Sequence, residues 1–234
     1  MANLSLSAIG RAALDILYPP RCALCGRDGA LLCDACLALL PRADGRRCDV
    51  CWLPLGSYEA CRACAEHRVA LTRLRSAFRY EGETRRLLHA YKFGGQSSLA
   101  PLLARSLAEC FAAHGLAADV VVPVPLTGRR RRQRGYNQAL LLARELAKGL
   151  GLPAVEALRR RRFPGPQSRS ASAEERRRNV EGAFEVADAA GVAGRRVLLI
   201  DDVATTGATL DACARALIAA GAAEALALTL ARED

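Results

Sequence analysis

The chain has 234 residues, is 51% apolar, and carries 34 Lys plus Arg against 24 Asp plus Glu, a formal net charge of +10. That length suits one substantial core with a small appended module, and that apolar share excludes wholesale disorder. No apolar run reaches the roughly 18 residues a membrane span needs, and the mildly apolar start, with Asp15 deep inside it, does not read as a signal peptide.

In chain order, residues 4–17 read as a short amphipathic helix ended by Pro19-Pro20. A cysteine-rich segment follows to about residue 66. It holds four pairs of one spacing: Cys22/Cys25, Cys33/Cys36, Cys48/Cys51 and Cys61/Cys64. Four C-x-x-C pairs without a secretion signal read as metal sites, not disulfides. One such turn aims two thiolates at a point, and two turns complete a tetrahedral zinc site. Eight thiolates predict two zinc ions, both structural, because no ligand position is left open. Adjacent pairing is the simplest arrangement. A crossed one, first with third and second with fourth, stays open. His67 is expected at the surface, and Cys110 and Cys213 in the core.

Beyond the cysteines, residues 76–81 have strand composition, and 84–91 look helical up to Gly94-Gly95. Residues 99–113 predict a helix with Pro101 in its first turn. The β-branched run at 119–124 is a strand, followed by a basic loop at 125–135. Residues 137–150 form a helix capped by Asn137. Short strands are expected at 155–158 and 182–186, with a long polar loop at 159–179 between them. A buried strand at 196–200, a helix at 206–220 and a last strand at 225–230 complete the chain. Strands alternating with helices imply an α/β fold, a mostly parallel sheet with helices on both faces.

Charge is clustered. Residues 129–178 contain fifteen basic and four acidic residues, while the rest is near neutral. Such a field attracts phosphates, pyrophosphates or nucleic acid.

The segment VLLIDDVATTGATL, residues 197–210, carries the most chemistry. A buried strand delivers Asp201 and Asp202, and a short loop then leads through Gly207 into a helix. Ligands of open α/β sheets sit at the carboxyl ends of strands. A helix N-terminus offers free N–H groups and a positive dipole end, suited to phosphate. Two carboxylates beside such a nest suit a sugar phosphate, whose hydroxyls donate to them. The glycine signatures of an ATPase or a dinucleotide site are missing.

This segment resembles the motif of the type I phosphoribosyltransferases that binds phosphoribosyl pyrophosphate (PRPP). Ala204 stands where a larger aliphatic residue is usual. The resemblance implies that Asp201 and Asp202 contact the ribose hydroxyls. It also implies that Ala204, Thr205, Thr206, Gly207, Ala208 and Thr209 surround the 5′-phosphate. Purine-base members carry an Asp at the position of Thr205, so the resemblance does not extend to that chemistry.

Residues 121–147, VVPVPLTGRRRRQRGYNQALLLARELA, look like the signature of the ComF (competence protein F) family. Gln167 with RRRNVEGAF at 176–184, and the cysteine-rich start after L-Y-P-P-R-C, are similar to other segments of that family. The resemblance implies a double zinc ribbon, residues 1–70, on a type I phosphoribosyltransferase-like domain, residues 71–234, acting in the cytoplasm. It further implies that Arg134, Gly135, Tyr136 and Asn137 bind pyrophosphate, that Asp201, Asp202 and Arg134 are the catalytic residues, and that Mg²⁺ accompanies PRPP. A link to the DNA-uptake machinery comes with the family. Two alternatives stand beside transferase activity: single-stranded DNA binding through the basic stretch, with Tyr136 or Phe163 stacking on bases, and PRPP sensing without transfer.

Overall fold

The structure, a computed structural model, describes residues 19–66, 69–161 and 182–234, apart from the side chains of Arg129 and Arg131. The helix expected at 4–17, His67, Phe163, Gln167 and most of the loop at 159–179 lie outside the described residues.

Two short helices, α1 (Asp34–Ala38) and α2 (Arg62–Glu66), belong to the cysteine-rich segment. Next come β1 (Arg73–Arg79), α3 (Gly82–Phe93), α4 (Ala100–Ala113) and β2 (Val120–Pro123). Then follow α5 (Gly128–Arg134), α6 (Gln138–Leu150), β3 (Leu158–Arg160) and β4 (Phe184–Val186). The last elements are β5 (Arg196–Ala204), α7 (Ala208–Ala219) and β6 (Glu224–Arg232). The main sheet runs β1-β6-β5-β2, and every pairing in it is parallel, as the alternation of elements predicts.

Strand β6, EALALTLAR, has few β-branched residues, yet it lies inside the sheet and is buried almost throughout. Its leucines 226, 228 and 230 pack with α3, α4 and α6, while Ala225 and Ala227 lie in the core under α7. Burial on both faces outweighs propensity here. Helix α6 starts where Asn137 accepts the N–H of Ala139 and stops at Gly151, which is left-handed at φ 68°. Its Leu142 and Leu146 are fully buried against the sheet, each contributing about 1.5–3 kcal/mol.

Three expectations need correction. The basic loop at 125–135 contains helix α5, which Thr127 caps by accepting the N–H of Arg130 at 3.2 Å. Its Arg run has no apolar periodicity to betray a helix, but Arg and Gln are good helix formers. The strand expected at 155–158 divides: Ala154 bridges to Val121 on the main sheet, whereas Leu158–Arg160 forms β3, antiparallel to β4. Strand β5 continues past Ile200 to Ala204, so Asp201 and Asp202 sit within the strand's last turn of pleat.

The cysteine-rich segment lies against the sheet. Arg79 donates its N–H to Pro41 and Ala43 donates to Ala77, so residues 41–43 cover the outer edge of β1. Cys22, Leu32, Cys36 and Leu40 share one apolar core with α3, α4 and α6.

Candidate functional site

Each cysteine pair is built the same way. The carbonyl of its first cysteine accepts the N–H four residues on: Cys22 from Gly26, Cys33 from Leu37, Cys48 from Trp52 and Cys61 from Ala65. This turn leaves both thiols on one side. The sulfurs of Cys22, Cys25, Cys33 and Cys36 all lie within 4.8 Å of one another, and so do those of Cys48, Cys51, Cys61 and Cys64. Adjacent pairing is therefore the observed one. Cys25–Cys33, Cys48–Cys64 and Cys51–Cys61 separations of 3.8, 3.7 and 3.5 Å match the ~3.8 Å edge of a tetrahedron with Zn–S bonds of about 2.3 Å. The donor set fits two structural zinc ions.

The second centre is held with unusual backbone geometry. Trp52, just after Cys51, is left-handed at φ 62° and is the one described non-glycine residue with a positive φ. A bulky side chain is strained there. Its ring is packed between Arg75, 4.3 Å above it, and the edge of His114 at 4.7 Å.

The second assembly lies at the carboxyl end of β5. Asp202 is 8% exposed. Lys92, from the last turn of α3, lies 3.0 Å from its Oδ1, and Arg134, from the end of α5, lies 3.9 Å from its Oδ2. Arg134 is aimed by two contacts. It donates to Gln138 Oε1 at 3.0 Å and lies 4.9 Å over the Phe93 ring, while its Nε is buried without a partner among the described residues. Asp201 accepts the N–H of Asp202 at 2.8 Å. Burial, and then the neighbouring Asp202 carboxylate, push the Asp201 carboxyl up to about 7.

After Ala204 the chain turns sharply. Thr205 is exposed, the Thr206 hydroxyl accepts the N–H of Ala208 at 3.3 Å, and Gly207 is left-handed at φ 78° as the cap of α7. A Cβ at Gly207 has open space but a disfavoured backbone, which is why glycine stands there. The turn sets the N-terminus of α7 directly after the strand end that carries both carboxylates.

Residues 13–65 match the double zinc ribbon domain family and residues 136–233 the phosphoribosyl transferase domain family. The DNA utilization protein YhgH of Escherichia coli (strain K12) is 34% identical over 219 residues, covering 89% of this chain and 95% of that protein. Competence protein F of Haemophilus influenzae is 36% identical over 152 residues, covering 62% of this chain and 66% of that protein. Competence protein ComFC of Bacillus subtilis is 30% identical over 209 residues, covering 86% of this chain and 84% of that protein. The chain belongs to the ComF family.

As a ComF chain it has the type I phosphoribosyltransferase-like fold, a parallel sheet flanked by helices, joined to a zinc ribbon with two four-cysteine centres. Of the residues singled out from its sequence, the structure brings Arg134, Asp201 and Asp202 together. Gly135 is left-handed at φ 79° and turns the chain from α5 to α6. The Tyr136 hydroxyl donates to the Tyr91 carbonyl, so its ring is anchored at α3. The Asn137 side chain is committed on both sides, accepting from Ala139 and donating to the Val124 carbonyl at 3.3 Å. Arg130 and Arg132 are exposed on α5.

Sequence reading missed Lys92, Gln138 and Arg232. Lys92 lies 110 residues from its partner Asp202, and no local pattern links them. Its one signal was being one of only two lysines among 34 cations.

Proposed function

We propose that this ComF-family chain binds PRPP or a related ribose phosphate at the end of β5 and transfers the phosphoribosyl group there. In this reading residues 1–70 are the zinc-bearing module and 71–234 the ligand-binding unit, working in the cytoplasm. The observation that carries it is the pair Asp201–Asp202 running into the 205–207 turn of α7, opposite Lys92 and Arg134.

Asp201 and Asp202 accept the 2′ and 3′ hydroxyls of the ribose. The amides and hydroxyls of residues 204–209 receive the 5′-phosphate. The 134–137 turn meets the pyrophosphate, Asn137 through its backbone and Arg134 through its guanidinium. Ribosyl transfer builds positive charge at the anomeric carbon while pyrophosphate leaves, so a cation fixed at the leaving group lowers the barrier. Gln138 and Phe93 hold Arg134 in one orientation before substrate arrives. Lys92 neutralises Asp202 in the meantime and, once ribose hydroxyls take that carboxylate, is free to turn toward phosphate. Mg²⁺, when bound with the substrate, supplies further neutralisation of the pyrophosphate. It prefers phosphate oxygens and water to a protein cage, in keeping with a described structure whose metal-ligand clusters are all cysteine.

Calorimetric titration with PRPP and Mg²⁺ tests the reading, with pyrophosphate release followed across candidate acceptors. Asp201→Asn with Asp202→Asn is expected to abolish binding while the fold persists. Unchanged affinity in that variant overturns the sugar-phosphate site. Binding without release in any acceptor makes the chain a PRPP sensor.

A second reading, single-stranded DNA binding, is favoured by one observation: Arg130 and Arg132 of α5 are exposed. Relatives named for competence and DNA utilization support a role beside the DNA-uptake machinery.

A further inference from the structure

Four consecutive carbonyls of the second zinc turn are each claimed, the first three from outside the ribbon. Asp49 accepts from Arg75 at 2.7 Å, Val50 from the N–H of Leu74 at 2.7 Å, Cys51 from Arg232 Nε at 3.2 Å, and Trp52 from Arg47 at 2.9 Å. Three of those donors are buried arginines. Arg47 is paired with Asp234 at 2.7 Å, and Arg75 reaches the exposed Asp49 carboxylate at 3.4 Å. Arg232 is fully buried and forms no ion pair with a carboxylate among the described residues.

Arg232 also reaches the other way. Its NH1 donates to the carbonyl of Ala204 at 3.0 Å, where β5 ends and the 205–207 turn begins. One guanidinium thus joins the backbone of a zinc ligand, Cys51, to the backbone of the first residue of the ligand loop. A zinc ion with four thiolates carries net charge −2, which balances a buried guanidinium at this junction. Losing the zinc cluster leaves that guanidinium with only the nearby carboxylates of Glu233 and Asp234 to offset its charge.

We propose that Arg232 is a positioning residue through which occupancy of the Cys48/Cys51/Cys61/Cys64 centre sets the order of the loop at 204–209, while the Cys22/Cys25/Cys33/Cys36 centre has no such connection among the described residues. The loop's role in holding a ribose phosphate rests on the function proposed above; the coupling itself does not.

Hydrogen exchange by mass spectrometry on the full chain, without ligand, tests it on peptides covering 200–209, with zinc content measured alongside. Emptying the second centre with Cys61→Ser and Cys64→Ser is expected to speed exchange there at least tenfold. Emptying the first with Cys33→Ser and Cys36→Ser leaves it within twofold. In an Arg232→Met background, which already exchanges fast, emptying the second centre adds nothing further. Equal effects from the two centres, or no effect from the second, overturn the proposal. If the cysteine variants fail to fold, Arg232→Lys carries the test, since it keeps the charge and loses the fork. Two zinc ions per chain with faster exchange at 200–209 support the coupling, and unchanged exchange overturns it. PRPP titration of the wild-type chain is a separate arm: failure to bind removes the ligand reading and leaves the exchange result decisive for the coupling.

Discussion

Asp202 is held by cations from two helices, while Asp201, one residue earlier, is buried beside the Asp202 carboxylate and forms no ion pair among the described residues, and that difference sets two measurable behaviours. The raised Asp201 carboxyl, at about 7, lies above its ordinary value near 3.9. Its protonated form therefore contributes stability below about pH 4, and the contribution is lost as pH rises through 7. Asp201→Asn is expected to match the wild-type Tm near pH 4 and to exceed it at pH 8, by about 2–4 °C for each kcal/mol recovered at this chain length. A scanning calorimetry series across pH, without ligand, checks it; a Tm gain that does not change with pH contradicts the assignment. Arg134→Ala removes a charge-assisted hydrogen bond worth roughly 1.5–3 kcal/mol, so PRPP affinity is expected to fall about tenfold to hundredfold. Both carboxylates and Arg134 were legible in sequence because each stands in a short motif. Lys92 and Arg232 were not, because their partners are set by the sheet order and not by spacing along the chain.

Among the elements, the strands and helices with a clear apolar period appear where the sequence puts them, as α4, α6 and β2 do. Helix α5 escaped because a run of arginines has no buried face to mark it. The end of β5 escaped because Asp-Asp reads as a turn, whereas pairing with β6 carries the strand through both residues to Ala204. The cysteine pairs were legible in type and spacing but not in partnership, which only the folded chain decides. Two zinc ions per chain are expected by metal analysis of protein prepared without chelator; a value near zero in folded protein contradicts the two centres. Chelation is also expected to loosen the ribbon's own packing against α3, α4 and α6, since Cys22 and Cys36 share an apolar core with them. Trp52 is the single tryptophan, so its fluorescence reports on the second centre directly.

At the scale of the whole molecule the net charge of +10 comes from one stretch, and α5 divides that stretch by use. Arg134 lies against Asp202, whereas Arg130 and Arg132 are exposed. Arg130→Ala is expected to lower single-stranded DNA affinity modestly and to reduce the salt slope by about one unit, leaving PRPP affinity unchanged. Arg134→Ala is expected to do the reverse. Binding measured at several salt concentrations for both variants separates a steering surface from a ligand contact; identical profiles for the two contradict the division.

The pairing of β1 with β6 joins Arg73 to Leu226, and the Arg232 guanidinium meets the Cys51 carbonyl 181 residues earlier in the chain. A ribosome releases those partners in order and seconds apart. The cysteine turns are local and are ready to take metal as soon as they emerge, yet the Cys51 carbonyl of the second turn waits for Arg232, a donor synthesised near the end of the chain. Contacts this distant along the chain form slowly. Until then the edge of β1 that pairs with β6 remains open to other chains, so a nascent or truncated polypeptide that stops before β6 is the form of this protein most exposed to aggregation.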